Sequence, residues 1–133
     1  MAAFHAVYFR AAGGAEPVRD FLDDLDDEVA AVLAQQIDRL NLLSDDVPHL
    51  PFPHSSQVDG ELRELRCHYG RQLFRILYRR SDRLLVLLHI LSKRTAKIPA
   101  QEISVAQERW SDFKARMDAD PRTPPRAAGH DAP

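Results

Sequence analysis

The chain has 133 residues, of which 44% are hydrophobic, and its 18 basic and 20 acidic side chains give a formal net charge of −2. These totals are typical of a soluble globular protein with one domain and one core. No apolar run approaches the roughly 18 residues of a membrane span, and the N-terminus lacks the pattern of a signal peptide, so we expect a cytoplasmic protein. The single cysteine, Cys67, excludes an internal disulfide framework, and we interpret it as a packing residue.

The first part of the chain predicts a strand followed by two helices. The aromatic-rich run from Phe4 to Phe9 is typical of a strand that joins a central sheet. Pro17 suits the first turn of a helix, and apolar residues follow it at helical spacing. A second helix is predicted to begin after the acidic run at 23–28 and to continue to about Leu43. We interpret the acidic run as a solvated corner of the molecule and not as a metal site.

A loop is predicted to follow the helices. Residues 44–60 contain three prolines and show no periodicity, and a loop of that length is often functional or mobile. His49 and His54 lie in this loop without a cysteine or a third histidine nearby. We therefore interpret them as surface histidines, with zinc binding as the less favoured alternative.

Residues 61–97 predict a meander of three strands, at 62–67, 72–79 and 84–91, joined by tight turns. This segment carries ten basic and three acidic side chains, a net charge of +7, whereas residues 1–60 carry −8 and residues 98–133 carry −1. A sheet that displays guanidinium groups in this way indicates a surface for a polyanion. The alternative is a pair of solvated faces of opposite charge.

The last part of the chain predicts a helix that opens at Pro99 and presents an apolar face containing Trp110. Residues 1–117 are predicted to form one domain, and the Pro-rich tail, 118–133, is predicted to be mostly disordered. The order β-α-α-β-β-β-α indicates an α+β fold, with the two N-terminal helices on one face of a mostly antiparallel sheet and a C-terminal helix.

The basic strands supply groups that could bind or cleave a phosphodiester. Arg75 is predicted to project between leucines, and a rigid, desolvated guanidinium suits a phosphate. An ion pair with Glu64 on the neighbouring strand is the alternative, and both can hold. Cleavage of RNA also needs a base for the 2′-hydroxyl and an acid for the leaving oxygen. Glu64 and His68 are the candidates for general base, whereas His89, inside an apolar strand, is better explained as a core histidine.

Four motifs, in this order, resemble the RelE/ParE superfamily and in particular its HigB-like, phage-derived branch. They are VRDFLDDL at 18–25, GELRELR at 60–66, GRQLFRILY at 70–78 and LLVLLHILSKRTAKIPAQEISVAQER at 84–109. The resemblance implies a RelE-like fold and the toxin of a type II toxin–antitoxin system. Such a toxin is a ribosome-dependent mRNA endoribonuclease that inhibits translation without a metal or another cofactor. The implied partners are mRNA on the ribosome, a small antitoxin that is often a helix-turn-helix protein, and operator DNA bound through that antitoxin.

The resemblance also implies roles for individual residues. Arg75 matches the strand arginine that contacts the scissile phosphate, and Lys93 and Arg94 match the basic pair after the last strand, so these three are the predicted catalytic residues. The predicted RNA-binding residues are Arg66, which matches the arginine of the ELR motif, together with Lys97, Arg63 and Arg71.

The chain also departs from RelE. Leu62 and Glu64 stand where RelE has two strand lysines, and the closing segment offers Pro99 and Trp110 where RelE has a tyrosine. The general base and general acid therefore stay unassigned. Two alternative functions remain: a catalytically inactive RelE-fold binding module that acts with an antitoxin in operon autoregulation, and a ParE-like gyrase inhibitor.

Overall fold

The computed structural model describes residues 3–92, 97–119 and 127–129, with the backbone alone at 118 and 119. Its elements are β1 (His5–Tyr8), α1 (Pro17–Asp23), α2 (Asp27–Ile37), a 3-10 helix (Leu40–Leu42), β2 (Ser55–Asp59), β3 (Leu62–Tyr69), β4 (Gln72–Ser81), β5 (Leu84–Leu91) and α3 (Ala100–Ala119). The five strands form one sheet in the order β1-β5-β4-β3-β2. Only β1 and β5 run parallel among the described neighbours, so the predicted α+β fold with a mostly antiparallel sheet is confirmed.

The meander of β3, β4 and β5 closes with two-residue turns. Tyr69 pairs with Gln72 across the first turn. The second turn contains Asp82, whose φ of 55° lies in the left-handed region, as does the φ of 57° at Gly70 in the first turn. Positive φ matches the twist of the flanking strands in such hairpins. Because the turns are tight, strand pairing continues to the residues that flank them. Both β3 and β4 therefore extend two residues beyond their predicted ends.

The prediction of an unbroken loop over 44–60 was wrong, because β2 lies within it. The sequence of β2, SSQVD, has no alternation of large apolar residues, and its pairing with β3 at the sheet edge holds it extended. Its first residue, Ser55, is buried and lies 2.9 Å from the Tyr78 hydroxyl, Oγ to Oη. The second helix is also shorter than predicted, since it ends at Ile37 and the 3-10 helix follows.

The two N-terminal helices, α1 and α2, pack on one face of the sheet, as predicted, and α3 packs on the opposite face. Phe74, Ile76 and Tyr78 of β4 are buried in the core with α1 and α2. Leu77 is buried on the other face, in the core that contains Phe113 of α3. Helical periodicity predicts that α3 has an apolar side, but it does not determine which face of the sheet that side covers.

A bulge in β5 directs two consecutive side chains towards α3. Leu77 of β4 pairs with His89 and Tyr78 pairs with Leu87, so Leu88 has no partner in the ladder. Leu88 is buried in the α3 core, and the His89 side chain hydrogen-bonds to α3 as well. An extra residue of this kind reorients a side chain that strict alternation would send to the opposite face.

Part of the predicted tail lies against β1, at the edge of the sheet. Ala127 bridges Val7, and the Ala128 N–H donates to the Ala6 carbonyl at 2.8 Å. The Asn41 side chain joins the two segments, since its Oδ1 accepts from the Ala6 N–H at 2.8 Å and its Nδ2 donates to the Ala128 carbonyl at 3.1 Å. These contacts occupy part of an otherwise open strand edge. The rest of the tail beyond α3 lies outside the described residues.

Candidate nucleic-acid interface

Arg66 of β3 and Arg75 of β4 are direct partners in the sheet. Arg75 and Leu77 are two residues apart on one strand, so both arginines lie on the face that α3 partly covers. Like charges directly opposite each other destabilise a sheet unless an acid compensates them. Glu64, two residues before Arg66 on the same face, is that acid.

The Glu64 carboxylate lies between the two guanidinium groups. Its Oε1 accepts hydrogen bonds from Arg66 Nε at 2.6 Å and from Ser56 Oγ at 3.2 Å. Its Oε2 lies 3.6 Å from Arg75 Nε. The side chains of Glu64 and Arg75 are each 3% exposed, and that of Arg66 is 22% exposed. We call these three residues the Arg–Glu–Arg cluster.

The structure shows the ion pair with Glu64 that was considered for Arg75, whereas its contact with a phosphate stays a prediction. The guanidinium is desolvated and held on a strand, as predicted, but it faces Glu64 and is not on the surface. A phosphate can therefore reach Arg66 in this arrangement, whereas Arg75 is accessible only if its surroundings move. The other two predicted catalytic residues, Lys93 and Arg94, lie outside the described residues. The strand that leads to them ends at Leu91, which pairs with Arg75.

The two candidates for general base differ in accessibility. Glu64 is 2% exposed and already engaged by two side chains, so a substrate hydroxyl cannot reach it in this arrangement. His68 is exposed and lies two residues beyond Arg66 on the same strand face. Its backbone is held by Gln36 of α2, whose Oε1 accepts from the His68 N–H at 2.8 Å and whose Nε2 donates to its carbonyl at 2.6 Å. The structure therefore offers an accessible imidazole beside the cluster.

The predicted RNA-binding residues do not share one surface. Arg71, in the turn between β3 and β4, and Lys97 are both exposed. Arg63 is three residues from Arg66, and since side chains alternate along a strand, the two arginines lie on opposite faces. Arg63 instead donates to Ser55 Oγ at 3.3 Å. Arg63 and Arg66 therefore lie on opposite faces of the sheet, and the RNA-binding roles of both residues stay predictions.

Arg63 lines a cavity of about 700 Å³ on the face of the sheet that carries α1 and α2. His49, Tyr78, Arg80 and Asp82 also contribute to its wall. The pKa of His49 is lowered, first by burial and then by the positive charges of Arg63 and Arg80. The wall is not uniformly basic, because Asp82 lines it as well. This face is thus a second polar surface, separated from the cluster by the sheet.

His89 holds α3 against β5. Its Nε2 lies 2.5 Å from Glu102 Oε2, and its Nδ1 lies 3.1 Å from Arg109 Nη1, which also donates to the Leu88 carbonyl at 2.8 Å. Because a guanidinium can only donate, Nδ1 must be the acceptor and Nε2 must carry the proton. Burial lowers the pKa of Arg109, and the Glu102 charge opposes that shift. Both ring nitrogens are engaged, which agrees with the interpretation of His89 as a core histidine.

Phe52 is a residue that the sequence pattern did not indicate. It is 73% exposed, and Arg66 Cζ lies 5.5 Å from the centroid of its ring. The ring therefore extends the exposed side of the Arg–Glu–Arg cluster. Its position between two prolines in a predicted loop is the available sequence signal, and such a signal does not reveal which side chain is nearby.

Cys67 does not contribute chemistry to this surface. It is fully buried, and burial raises the pKa of its thiol to about 12. The thiolate, which is the nucleophilic form, is therefore scarce at neutral pH. Among the described residues, no group of three or more histidine, cysteine, aspartate or glutamate side chains is arranged to hold a metal ion. Nor does any described helix combine the length and hydropathy that a membrane span requires.

Comparison with known proteins gives a family. The family model described as "Phage derived protein Gp49-like (DUF891)" matches residues 20–111. The matched region is more than half of the chain and contains the whole Arg–Glu–Arg cluster, Phe52 and His68. None of the curated proteins compared with the chain matches it.

Proposed function

Because the chain belongs to the phage-derived, Gp49-like family, which is in general a family of RelE/HigB-like toxins, we propose that it is the toxin of a type II toxin–antitoxin pair. The proposed activity is endonucleolytic cleavage of mRNA during translation. In this reaction the 2′-hydroxyl of one nucleotide attacks the adjacent phosphate, and the 5′-oxygen of the next nucleotide leaves. No metal ion takes part in the proposed reaction.

The observation that carries this proposal is the Arg–Glu–Arg cluster. Guanidinium groups held in advance near a phosphate stabilise the charge that develops on it without a cost of reorganisation. Glu64 holds Arg66 at a 2.6 Å contact while leaving part of that side chain exposed. The partly exposed guanidinium is therefore proposed to bind a phosphate, with a second guanidinium beside it.

The remaining catalytic roles are proposed from the positions of the residues in the structure and in the sequence. We assign the 2′-hydroxyl proton to His68, the accessible imidazole on the same strand face as Arg66. Lys93 and Arg94 are assigned to charge stabilisation and to the leaving oxygen, on the resemblance given above. Arg75 joins the site only in a form in which it is uncovered, since it is 2% exposed here.

The proposed partners are those of such a toxin. A small antitoxin, proposed to be a helix-turn-helix protein, would neutralise the chain, and the complex would bind operator DNA through the antitoxin. The substrate would be mRNA in the ribosome, and the proposed location is the cytoplasm.

The test is expression of the chain alone, from a tightly controlled promoter in bacteria. Wild type is expected to arrest growth and translation, with cuts in translated messages mapped by primer extension. Arg66→Ala and Lys93→Ala are expected to relieve the arrest. Arg19→Ala is the control, because it removes an arginine from α1, which packs on the face of the sheet opposite to Arg66. Normal growth with wild-type chain that is folded and abundant would contradict the proposal.

One observation favours a second function, a catalytically inactive member of the fold that acts with an antitoxin in operon autoregulation. Glu64 and Arg75 are almost fully buried, as expected for a structural ion pair. This candidate predicts co-purification with a small DNA-binding protein encoded beside the chain and no cleavage of mRNA on ribosomes. Cleavage that disappears in Arg66→Ala would exclude it.

A further inference from the structure

The backbone that carries Phe52 is held in a turn, although the ring is exposed. The Pro51 carbonyl accepts from the His54 N–H at 3.0 Å, and the His54 carbonyl accepts from the Arg66 N–H at 2.9 Å. The His54 ring also lies 3.2 Å from Arg39, Nδ1 to Nη1. The turn that carries Phe52 is therefore closed by the Pro51–His54 hydrogen bond. It is attached through His54 to β3 and to Arg39, which lies between α2 and the 3-10 helix.

Exposure of one large apolar residue is common and does not by itself identify a site. Phe52 differs from the other two large apolar residues that the described chain leaves exposed, Leu42 and Val47. Those two are aliphatic and have no π face. The Phe52 ring has two such faces. Arg66, whose guanidinium is held by Glu64, lies over one of them, and the 73% exposure of the residue leaves the ring accessible to a base.

An aromatic ring next to an anchored guanidinium is suited to single-stranded nucleic acid. The ring stacks on a base, and the guanidinium contacts the phosphate of the same strand. Stacking tolerates any base, since every base has a π face. The exposed imidazole of His68 lies on the same strand face as Arg66 and adds another polar group there. An apolar protein partner would bury a charged guanidinium without a counter-ion beyond Glu64, which is the less favourable arrangement.

We propose that Phe52 is a base-stacking residue that positions single-stranded RNA so that one of its phosphates meets Arg66. The inference rests on the proposed function and assigns a substrate-positioning role within the same site. Phe52 takes no part in proton transfer. Its removal should weaken RNA binding and reduce the rate at low RNA concentration more than the rate at saturation.

The test uses the full chain and a fluorescein-labelled, single-stranded oligoribonucleotide with 2′-O-methyl groups, which cannot be cleaved by 2′-hydroxyl attack. Fluorescence anisotropy gives the Kd. Phe52→Leu keeps apolar bulk and removes the π face, and it should raise the Kd about tenfold, as expected for loss of one stacked base. Phe52→Trp should leave the Kd within about twofold of wild type, since indole stacks at least as well. Leu42→Ala, at a residue that is 80% exposed, is the control and should change nothing.

The outcomes separate the inference from the proposed function. Equal affinity of wild type and Phe52→Leu, or no binding by wild type, would overturn the stacking role. Translation arrest by the wild-type chain in cells tests the proposed function independently. Loss of antitoxin binding in Phe52→Leu with unchanged RNA affinity would assign the ring to a protein contact and would also overturn the inference.

Discussion

Glu64 Oε2 lies 3.6 Å from Arg75 Nε, between adjacent strands, with each side chain 3% exposed. Two charges that are removed from water to this degree are tolerated only as a pair. Glu64 thus takes part both in the buried ion pair and in the candidate site, since its other carboxylate oxygen holds the partly exposed Arg66. Changes at Glu64 should therefore affect stability and RNA binding together.

Replacement of Glu64 should be strongly destabilising. Glu64→Leu leaves the Arg75 charge buried opposite an apolar side chain, and we expect a loss of about 3 kcal/mol in the free energy of unfolding. The double variant Glu64→Leu, Arg75→Met should recover most of that loss, because both charges of the pair are then removed. Urea unfolding followed by circular dichroism measures both. Glu61→Gln is the control: its side chain is 79% exposed, so its contact with Arg79 should contribute less than about 1 kcal/mol.

Cys67 should resist alkylation in the folded protein. With its pKa raised to about 12, the thiol is almost entirely protonated at pH 8, and the side chain is fully buried. Labelling with iodoacetamide should be at least about 100-fold slower in native buffer than in concentrated urea. Mass spectrometry of timed samples provides the rates. Comparable rates in the two conditions would show that β3 is accessible from solvent.

The pKa of His49 should lie below the ordinary value of 6.5, because burial and the charges of Arg63 and Arg80 disfavour its protonated form. Arg80→Gln should move the pKa back upward, as seen in the imidazole shifts of an NMR titration. The unfolded chain binds the proton more readily than the folded one. The contribution of His49 to stability is therefore complete above pH 6.5 and is lost as the pH falls through the lowered pKa. A His49 midpoint above 6.5 would contradict this assignment.

The His89–Glu102 contact should hold α3 on the sheet. Glu102→Gln removes the charge from a 2.5 Å contact while preserving the shape of the side chain. We expect amide hydrogen exchange in α3 to become about tenfold faster, in line with the strength of hydrogen bonds to charged groups. Glu108→Gln, an exposed position on the same helix, should leave exchange unchanged. Equal protection of α3 in both variants would mean that apolar packing alone fixes the helix.

The features that were predictable from sequence are those with a local cause. An unbroken apolar run gives β5 at its predicted bounds, and a proline in the first turn marks the start of α1. The strand β2 was not predictable, because Ser55 is buried through pairing with β3 and contact with Tyr78. Its extended backbone depends on tertiary structure and not on local propensity.

In the candidate nucleic-acid interface too, the features with a local cause were predictable and those that depend on tertiary structure were not. Strand alternation was sufficient to place Arg75 near Glu64. It also puts Arg63 and Arg66 on opposite faces of the sheet, but a net charge summed over the whole segment does not distinguish the two faces. The contact between Phe52 and Arg66 could not be predicted from the sequence, since no periodicity relates a loop residue to the strand arginine that it contacts. Lys93 and Arg94 are still predictions from the resemblance.

The burial of Arg75 has a consequence for how activity would be controlled. If catalysis needs that guanidinium, only the fraction of molecules in an open conformation is competent, and the apparent affinity for RNA falls by that fraction. A population that is about 1% open would bind about 100-fold more weakly than its open form does. A large assembly that binds the open conformation preferentially would then switch the chain on without supplying any catalytic group, and this would give the proposed dependence on the ribosome a thermodynamic origin.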